Sequence, residues 1–394
     1  MTSSDVVIVG AARTPIGKFL GAFRSVSAVE LGIAATEGLL ERAGIDRSQV
    51  DQVIFGMARQ AGSGPNVARQ VQIGSGMPES GTALTVNQAC ASGLRAIVLA
   101  ANEIVSGSAQ AIVAGGTESM TRIPFYLPDM RLGMRLGNKE ILDGNYQDGF
   151  HCPLVDAPMG MTAETLAEKY EIAREEQDAY AVVSQQKCGA ALEAGKFTDE
   201  IVPVTVKSRR GDVVVDTDEH PRPDATVEGL MKLSSVFKEE GTVHAGNSSG
   251  ITDGAAALLV TSEEFAQTHD LTVMARLTGS AMAGVDPAVM GLGPVPATQK
   301  LLEKAGRELS EIDLIELNEA FAAQVLACDR EMGLDHDRLN VNGGAIALGH
   351  PIGCTGARIV VTLLHEMVRR DSKTGLATLC VSGGMGISAL FERA

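Results

Sequence analysis

The stretch VNQACASGLRAIVLAANEIV, residues 86–105, joins an extended apolar run to a helical pattern, and one cysteine, Cys90, stands at the junction. Leu94, Ile97, Val98, Ala101, Ile104 and Val105 recur at three- and four-residue spacing, which lays one apolar stripe along a helix. Cys90 therefore falls at or just before that helix's first turn. Two readings of it stand. A lone cysteine is by default a small buried hydrophobe. At a helix start, however, unpaired amides and the positive dipole end favour a thiolate, which lowers the thiol pKa and makes the sulfur a better nucleophile. Ala91, Ser92 and Gly93 keep the approach uncrowded, as a nucleophile needs and as tight packing of helix on sheet also needs.

Working outward, the same unit occurs twice. AGIDRSQVDQVIFG from Ala43 is echoed by AGRELSEIDLIELN from Ala305, and VNQACASG from Val86 by VNGGAIALGHPIGCTG from Val341. The following helix repeats its offsets at Ala357, Val360, Val361, Leu364, Met367 and Val368. Each copy then leads to an apolar strand and a glycine turn, AIVAGGTESM at 111 and LATLCVSGGMG at 376. Short apolar runs at Val6–Val9, Ala111–Ala114, Ala255–Val260 and Leu376–Val381 alternate with helical patterns. Layered α/β architecture follows, built of two similar lobes with a site between them. The expected lobes are 1–120 with 243–271, and 272–394.

Between them, residues 121–242 change texture to methionine-rich and charged loops. This insertion carries an expected helix around Ala163–Ala194 and a hairpin around VKSRRGDVVV, with Lys207, Arg209 and Arg210 at its solvated tip. The segment MRLGMRLGN, 130–138, reads as an exposed loop or a subunit contact.

The 394 residues, 45% apolar and 21% charged, suffice for two or three well-cored domains and exclude a disordered chain. With 33 basic against 49 acidic residues the net charge is −16, which excludes nonspecific attraction to nucleic acid or an anionic membrane. No apolar run approaches a membrane span, and MTSSDVVIVGAARTP enters a strand pattern with no basic, apolar leader, so the expected location is cytoplasmic. Six cysteines without CxxC pairs predict neither disulfides nor zinc; His151 beside Cys152 is adjacent rather than metal-spaced, so no metal is expected. Neither a P-loop nor a GxGxxG fingerprint is present.

If a pseudo-twofold relates the lobes, the helix starts of both repeats face one cleft. Cys90 occupies the first. The second holds His350 among Gly343, Gly344, Gly349 and Gly353, where an imidazole can take a thiol's proton and return it. Cys380 precedes the SGGMG turn, and Asn318 in ELNEAF can orient a water or the imidazole. Taken singly, His350 also reads as a structural loop histidine, Cys380 as a buried strand residue, and Asn318 as a helix N-cap. Their joint placement at matching ends of repeated units is what favours chemistry.

The motifs VNQACASG, GGTESM, HAGNSSGITDGAAA, MGLGPVPA, NEAFAA, GGAIALGHPIGCTGAR and CVSGGMG, in this order along nearly the whole chain, resemble the thiolases, the acetyl-CoA acyltransferase family. The resemblance implies the layered α/β/α/β/α thiolase fold. It implies that Cys90 carries the acyl group, His350 activates it, Cys380 moves the proton of the acetyl carbon, and Asn318 holds a water beside His350 in a first oxyanion hole. The amides of Cys90 and Ser382 are the implied second hole. Many members have glycine where Ser382 stands, so a β-carbon must be accommodated there. Ser249 and Arg222 match CoA-contacting positions, and Met159, Phe237, Met290 and Phe321 match positions lining the acyl and pantetheine tunnel or, equally, core packing. The implied reaction is acyl-CoA plus acetyl-CoA to 3-oxoacyl-CoA and CoA, with CoA as substrate and product and no further cofactor. A homodimer or homotetramer is implied, the 121–145 loop resembling the tetramer-forming one. Pro158 in APMGMTAE, where short-chain biosynthetic members often have histidine, tilts the expectation to a degradative 3-ketoacyl-CoA thiolase of β-oxidation, with acetoacetyl-CoA thiolase as the alternative. A non-catalytic lipid or CoA-ester carrier has no need of two thiols and an imidazole in register. One-way ketosynthase-like condensing enzymes usually pair a single cysteine with histidines or with histidine and asparagine.

Overall fold

The computed structural model describes residues 6–209 and 211–393. Its main sheet is carried by β1 (Val6–Arg13), β2 (Gln52–Gly56), β3 (Thr82–Val86), β4 (Ala111–Ser119), β5 (Thr252–Ser262), β6 (Ala275–Gly284), β7 (Leu314–Leu317), β8 (Thr374–Val381) and β9 (Met385–Glu392). The helices that matter for the site are α1 (Ala28–Ala43), α2 (Ser92–Val105), α3 (Met159–Lys169), α4 (Arg174–Glu193), α5 (Pro294–Ala305), α6 (Ala322–Met332) and α7 (Ile352–Arg370).

The strand order is β7-β8-β9-β6-β1-β5-β4-β2-β3, with the two-residue strand Gly17–Lys18 added on β5. The joint between halves is short: in β1 against β6, Val7 faces Arg276 and Ile8 faces Ala275. Outward from that joint both halves run alike. An antiparallel neighbour comes first (β5 or β9), then the strand that follows the central helix (β4 or β8), then a parallel strand (β2 or β7). β3 completes the first half, and its counterpart in the second is a single parallel bridge, Ile315 to Leu339.

Successive side chains of a strand point to opposite faces, and here both faces are covered. Val7, Val53, Phe55, Val113 and Leu259 pack outward onto Leu31 and Leu39 of α1, while Ile8, Ile54, Ile112, Leu258 and Val260 pack inward onto α2 and α7. From the other half-sheet Leu379, Val381, Ile387 and Phe391 reach the same two helices, and Ile315, Leu317 and Leu376 face α5 and α6. Five layers result, α/β/α/β/α, with α2 and α7 in the middle. Double coverage is why these strands read as continuous apolar runs rather than as alternation.

Glycines bring the two central helices together. A β-carbon on Gly93 would stand 2.6 Å from the Ala357 amide nitrogen, and one on Gly356 would stand 2.3 Å from that of Leu94. The starts of α2 and α7 therefore meet backbone to backbone. The stripe on α7 ends at Met367: Val368, expected within it, is 46% exposed on the last turn.

Elsewhere the insertion departs from expectation at one place. The single helix around Ala163–Ala194 is two, α3 and α4, because Glu171 takes a left-handed φ of 52°. The Ile172 amide then closes the break on the Ala167 carbonyl with its side chain buried. The hairpin forms, Val204–Val206 against Val213–Val215, with Lys207 and Arg209 exposed; Arg210 lies outside the described residues. The 130–138 segment is exposed, with Leu132 and Leu136 in solvent. A buried ion pair holds the insertion to the first half. Arg13 on β1 donates to Glu200 at 2.6 Å and to both oxygens of Asp218 at 2.7 and 2.9 Å.

Candidate active site

Cys90 is half-buried just before α2, at the end of a turn held by its own backbone. Ala89 adopts a left-handed φ of 46°, unusual for a residue with a β-carbon. Local bonds hold it there: the Ala89 amide donates to Asn87 Oδ1 at 3.0 Å, and Ser92 Oγ donates to the Ala89 carbonyl at 2.7 Å while accepting from the Gln88 amide.

The expected lowering of the Cys90 pKa by a helix start is not found. Burial pushes the thiol above its ordinary range, and the opposing influences are, in order, the Ser382 amide, the Arg59 guanidinium and the Cys90 amide. The physical reason is desolvation, which outweighs the donors around the sulfur; the Ala91 and Ser92 amides, for their part, bond the Gln88 and Ala89 carbonyls. Two amides nonetheless address the sulfur, those of Cys90 and Ser382, the pair expected to form an oxyanion hole. Ser382 is not among the residues with positive φ, so its β-carbon imposes no backbone strain; the reversal of the turn is taken by Gly383 and Gly384, at φ 87° and 85°.

His350 is buried immediately before α7, its amide bonded to the Gly250 carbonyl. Thr355 Oγ1 donates to the Pro351 carbonyl at 3.0 Å, so it accepts at 2.6 Å from His350 Nδ1. The proton thus sits on Nδ1, and Nε2, which has no protein partner, presents a lone pair. Burial, with the charges of Arg59 and Arg358, pushes the imidazole pKa down to about 3. His350 is neutral at physiological pH, with Nε2 as its one open acceptor position.

Cys380 is fully buried near the end of β8 and packs with Met290, Ala320, Met159 and Phe321. Burial raises its pKa well above the ordinary thiol range, and the neighbouring Cys90 raises it further. Asn318 follows β7 directly, with its amide on the Thr378 carbonyl. It is not the cap of α6, a position Phe321 holds. Both polar atoms of its buried side chain lack a protein partner, as a residue that holds a water requires.

The remaining expected residues divide. Ser249 is half-buried, and its amide bonds to the Ala320 carbonyl beside the Asn318 loop. Phe237 stacks edge-on against Phe321 at 6.4 Å, so Met159, Phe237, Met290 and Phe321 form one apolar wall reaching Cys380. Arg222 is exposed, and its backbone is held by Gln185. Its segment is tied to the site by His220, whose Nδ1 donates to the Ala347 carbonyl at 2.8 Å and whose ring packs on Gly250.

The family model described as "Thiolase, N-terminal domain" matches residues 6–264, and that described as "Thiolase, C-terminal domain" matches residues 271–393. The chain belongs to the thiolase family. It is 53% identical over 390 residues, covering 99% of each chain, to an acetyl-CoA acetyltransferase of Pseudomonas aeruginosa. In structure it is similar to the Bacillus anthracis acetyl-CoA acetyltransferase, with a TM-score of 0.97, 46% identity and coverage of 99% of this chain and 98% of that one. It is also similar to human mitochondrial 3-ketoacyl-CoA thiolase in complex with CoA, with a TM-score of 0.96, 42% identity and coverage of 100% and 98%. This thiolase is thus an acyltransferase with the fold its repeats predict. Among the described residues no helix is long and apolar enough to cross a membrane.

Two polar residues of this thiolase escape sequence reasoning. Glu118 accepts from the amides of Ala58 at 3.0 Å, Arg59 at 3.3 Å and Gly353 at 2.9 Å, so a carboxyl from the first half caps the α7 start of the second. Burial lifts its pKa to about 7. Arg59 is 1% exposed and bears electrostatically on both Cys90 and His350. No spacing rule marks either one: Arg59 lies in a loop, and Glu118 sits inside a strand pattern.

Proposed function

We propose that this thiolase is an acetyl-CoA acetyltransferase, joining two acetyl-CoA molecules into acetoacetyl-CoA and CoA and running the reverse thiolysis over the same path. The observation that carries the chemistry is a Cys90 sulfur addressed by two amides with a second thiol as neighbour, together with a neutral imidazole at the matching turn before α7 whose Nε2 lone pair has no protein partner. Cys90 gives its proton to His350 Nε2 and attacks the thioester carbonyl, whose oxygen draws on the Cys90 and Ser382 amides. CoA leaves with the proton of Cys380. The Cys380 thiolate then takes a proton from the methyl of the second acetyl-CoA. Protonated His350 and an Asn318-held water receive the enolate oxygen. Attack of the enolate on the acetyl group expels the Cys90 sulfur, which recovers its proton from His350. CoA is substrate and product, and no other cofactor enters.

The four-carbon reading replaces the longer-chain one that Pro158 suggests. Its support is the name carried by relatives that match at about half identity over nearly their whole length. The CoA-bound 3-ketoacyl-CoA thiolase favours the second reading, broader 3-oxoacyl-CoA cleavage in β-oxidation. We take the lobes as 1–120 with 243–271 and 272–394, the insertion 121–242 bearing CoA and subunit contacts in a cytoplasmic dimer or tetramer. Thiolysis rates across 3-oxoacyl-CoA lengths test the choice: the highest kcat/KM at four carbons is expected, and a maximum at eight or more contradicts it.

A further inference from the structure

β2 and β3 run parallel and end together, Gly56 opposite Val86. The chains stay paired beyond the sheet, since the Met57 amide donates to the Val86 carbonyl and Asn87 Nδ2 to the Ala58 carbonyl at 2.9 Å. Arg59 is thereby held alongside the turn that presents Cys90. Its guanidinium is almost wholly buried and makes one hydrogen bond, from Nη2 to the Asn145 carbonyl at 3.3 Å, with Phe150 stacked against it at 4.7 Å. Nε and Nη1 have no partner, and among the described residues no carboxylate lies within ion-pair distance. A buried cation left so is costly unless some other negative or polar group answers it.

Burial is the largest influence on Arg59 and lowers its pKa; the groups that oppose it are, in decreasing order, Glu118, Cys90, Asp148 and Asp143. Glu118 spends its oxygens on three amides, and burial keeps it partly protonated near neutrality. We infer that the Arg59 guanidinium is the built-in counter-cation of the Cys90 sulfur, a positioning residue that acts by charge without touching substrate. One fixed positive charge disfavours the proton on both groups: it favours ionised Cys90 against burial and the Glu118 charge, and it adds, with Arg358, to the burial that chiefly keeps His350 neutral. Cys380, the other titratable neighbour of Cys90, is a thiol in the resting site. The inference rests on Cys90 being the nucleophile of the proposed reaction.

Its test is the pH dependence of Cys90 alkylation by iodoacetamide, followed by peptide mass, in the full chain and in Arg59→Met, Arg59→Lys and Phe150→Leu. Arg59→Met is expected to move the alkylation midpoint up by about one pH unit, slowing the reaction about tenfold below it. Arg59→Lys, which keeps the charge, stays within about threefold of the unaltered chain. Phe150→Leu removes the stacking ring and leaves the midpoint in place, separating charge from anchoring of the 145–150 segment. If Arg59→Met does not fold, Arg59→Gln, which retains a donor for the Asn145 carbonyl, carries the same expectation. An unmoved midpoint in the neutral variant, or an equal shift in Arg59→Lys, overturns the inference. Acetyl-CoA labelling of the unaltered chain tests the nucleophile separately: no acetyl group on Cys90 defeats the proposed function whatever the alkylation profile.

Discussion

The turn before α2 and the turn before α7 are one unit met twice, and they are built differently. The first runs from β3 to α2 through Ala89, a left-handed residue with a β-carbon, and leaves Cys90 half-buried. The second is longer, inserts the short helix Ala345–Leu348, takes its reversals at Gly343 and Gly349, and buries His350 at 6% exposure. At Gly349 a β-carbon would stand 2.3 Å from the Thr252 side chain, so the loop can approach only as glycine. An atom that must meet a carbonyl needs access and donors. A base must stay dry and neutral. The repeat supplies two matching positions, and under the proposed chemistry each is suited to one of these roles.

The contrast breaks first at the second turn. His350→Asn removes the acceptor and is expected to slow Cys90 acetylation about 10²- to 10⁴-fold, the range for a lost general base, measured by rapid quench. Equal acetylation rates would show that the two turns do not share a proton. At the first turn, Ser382→Pro deletes one of the two amides that address the sulfur while Cys90 keeps its own. A drop in kcat of about 10²- to 10³-fold is expected, as for loss of one oxyanion donor. Where the turns touch, Gly356→Ala forces a β-carbon onto the Leu94 backbone, and denaturant unfolding is expected to show a loss of about 1–3 kcal/mol or more.

The smallest effect is linked to pH. His350 has a folded pKa of about 3 against about 6.5 unfolded, so the unfolded chain takes up a proton that the folded chain refuses. Stability tied to this residue is present above about pH 6.5 and is lost as pH falls toward 3. Unfolding free energies at pH 7 and pH 5 should therefore fall further for the unaltered chain than for His350→Asn; parallel falls would mean that His350 is not held neutral.

The layered fold was legible because double coverage writes strands as apolar runs and because the repeat is written in whole motifs. The expectation that Cys90 and His350 face one cleft rests on that same repeat. What a linear pattern cannot carry is burial: the thiol pKa at Cys90 was expected to fall, yet desolvation outweighs the Ser382 amide, the Arg59 charge and the Cys90 amide. Nor does spacing reveal that Glu118 reaches across to Gly353, or that Arg59 is enclosed, since both depend on which loops the sheet lays side by side. Glu171 shows the same limit on a smaller scale: its left-handed φ splits a helix that the apolar periodicity runs straight through.

The account stands on Cys90 as the acyl carrier. Incubation with labelled acetyl-CoA, followed by digestion and peptide mass analysis, should place one acetyl group on Cys90 and none on Cys380, with label retained in Cys380→Ser and absent in Cys90→Ala. An acetyl group on Cys380, or a label that survives Cys90→Ala, would contradict it.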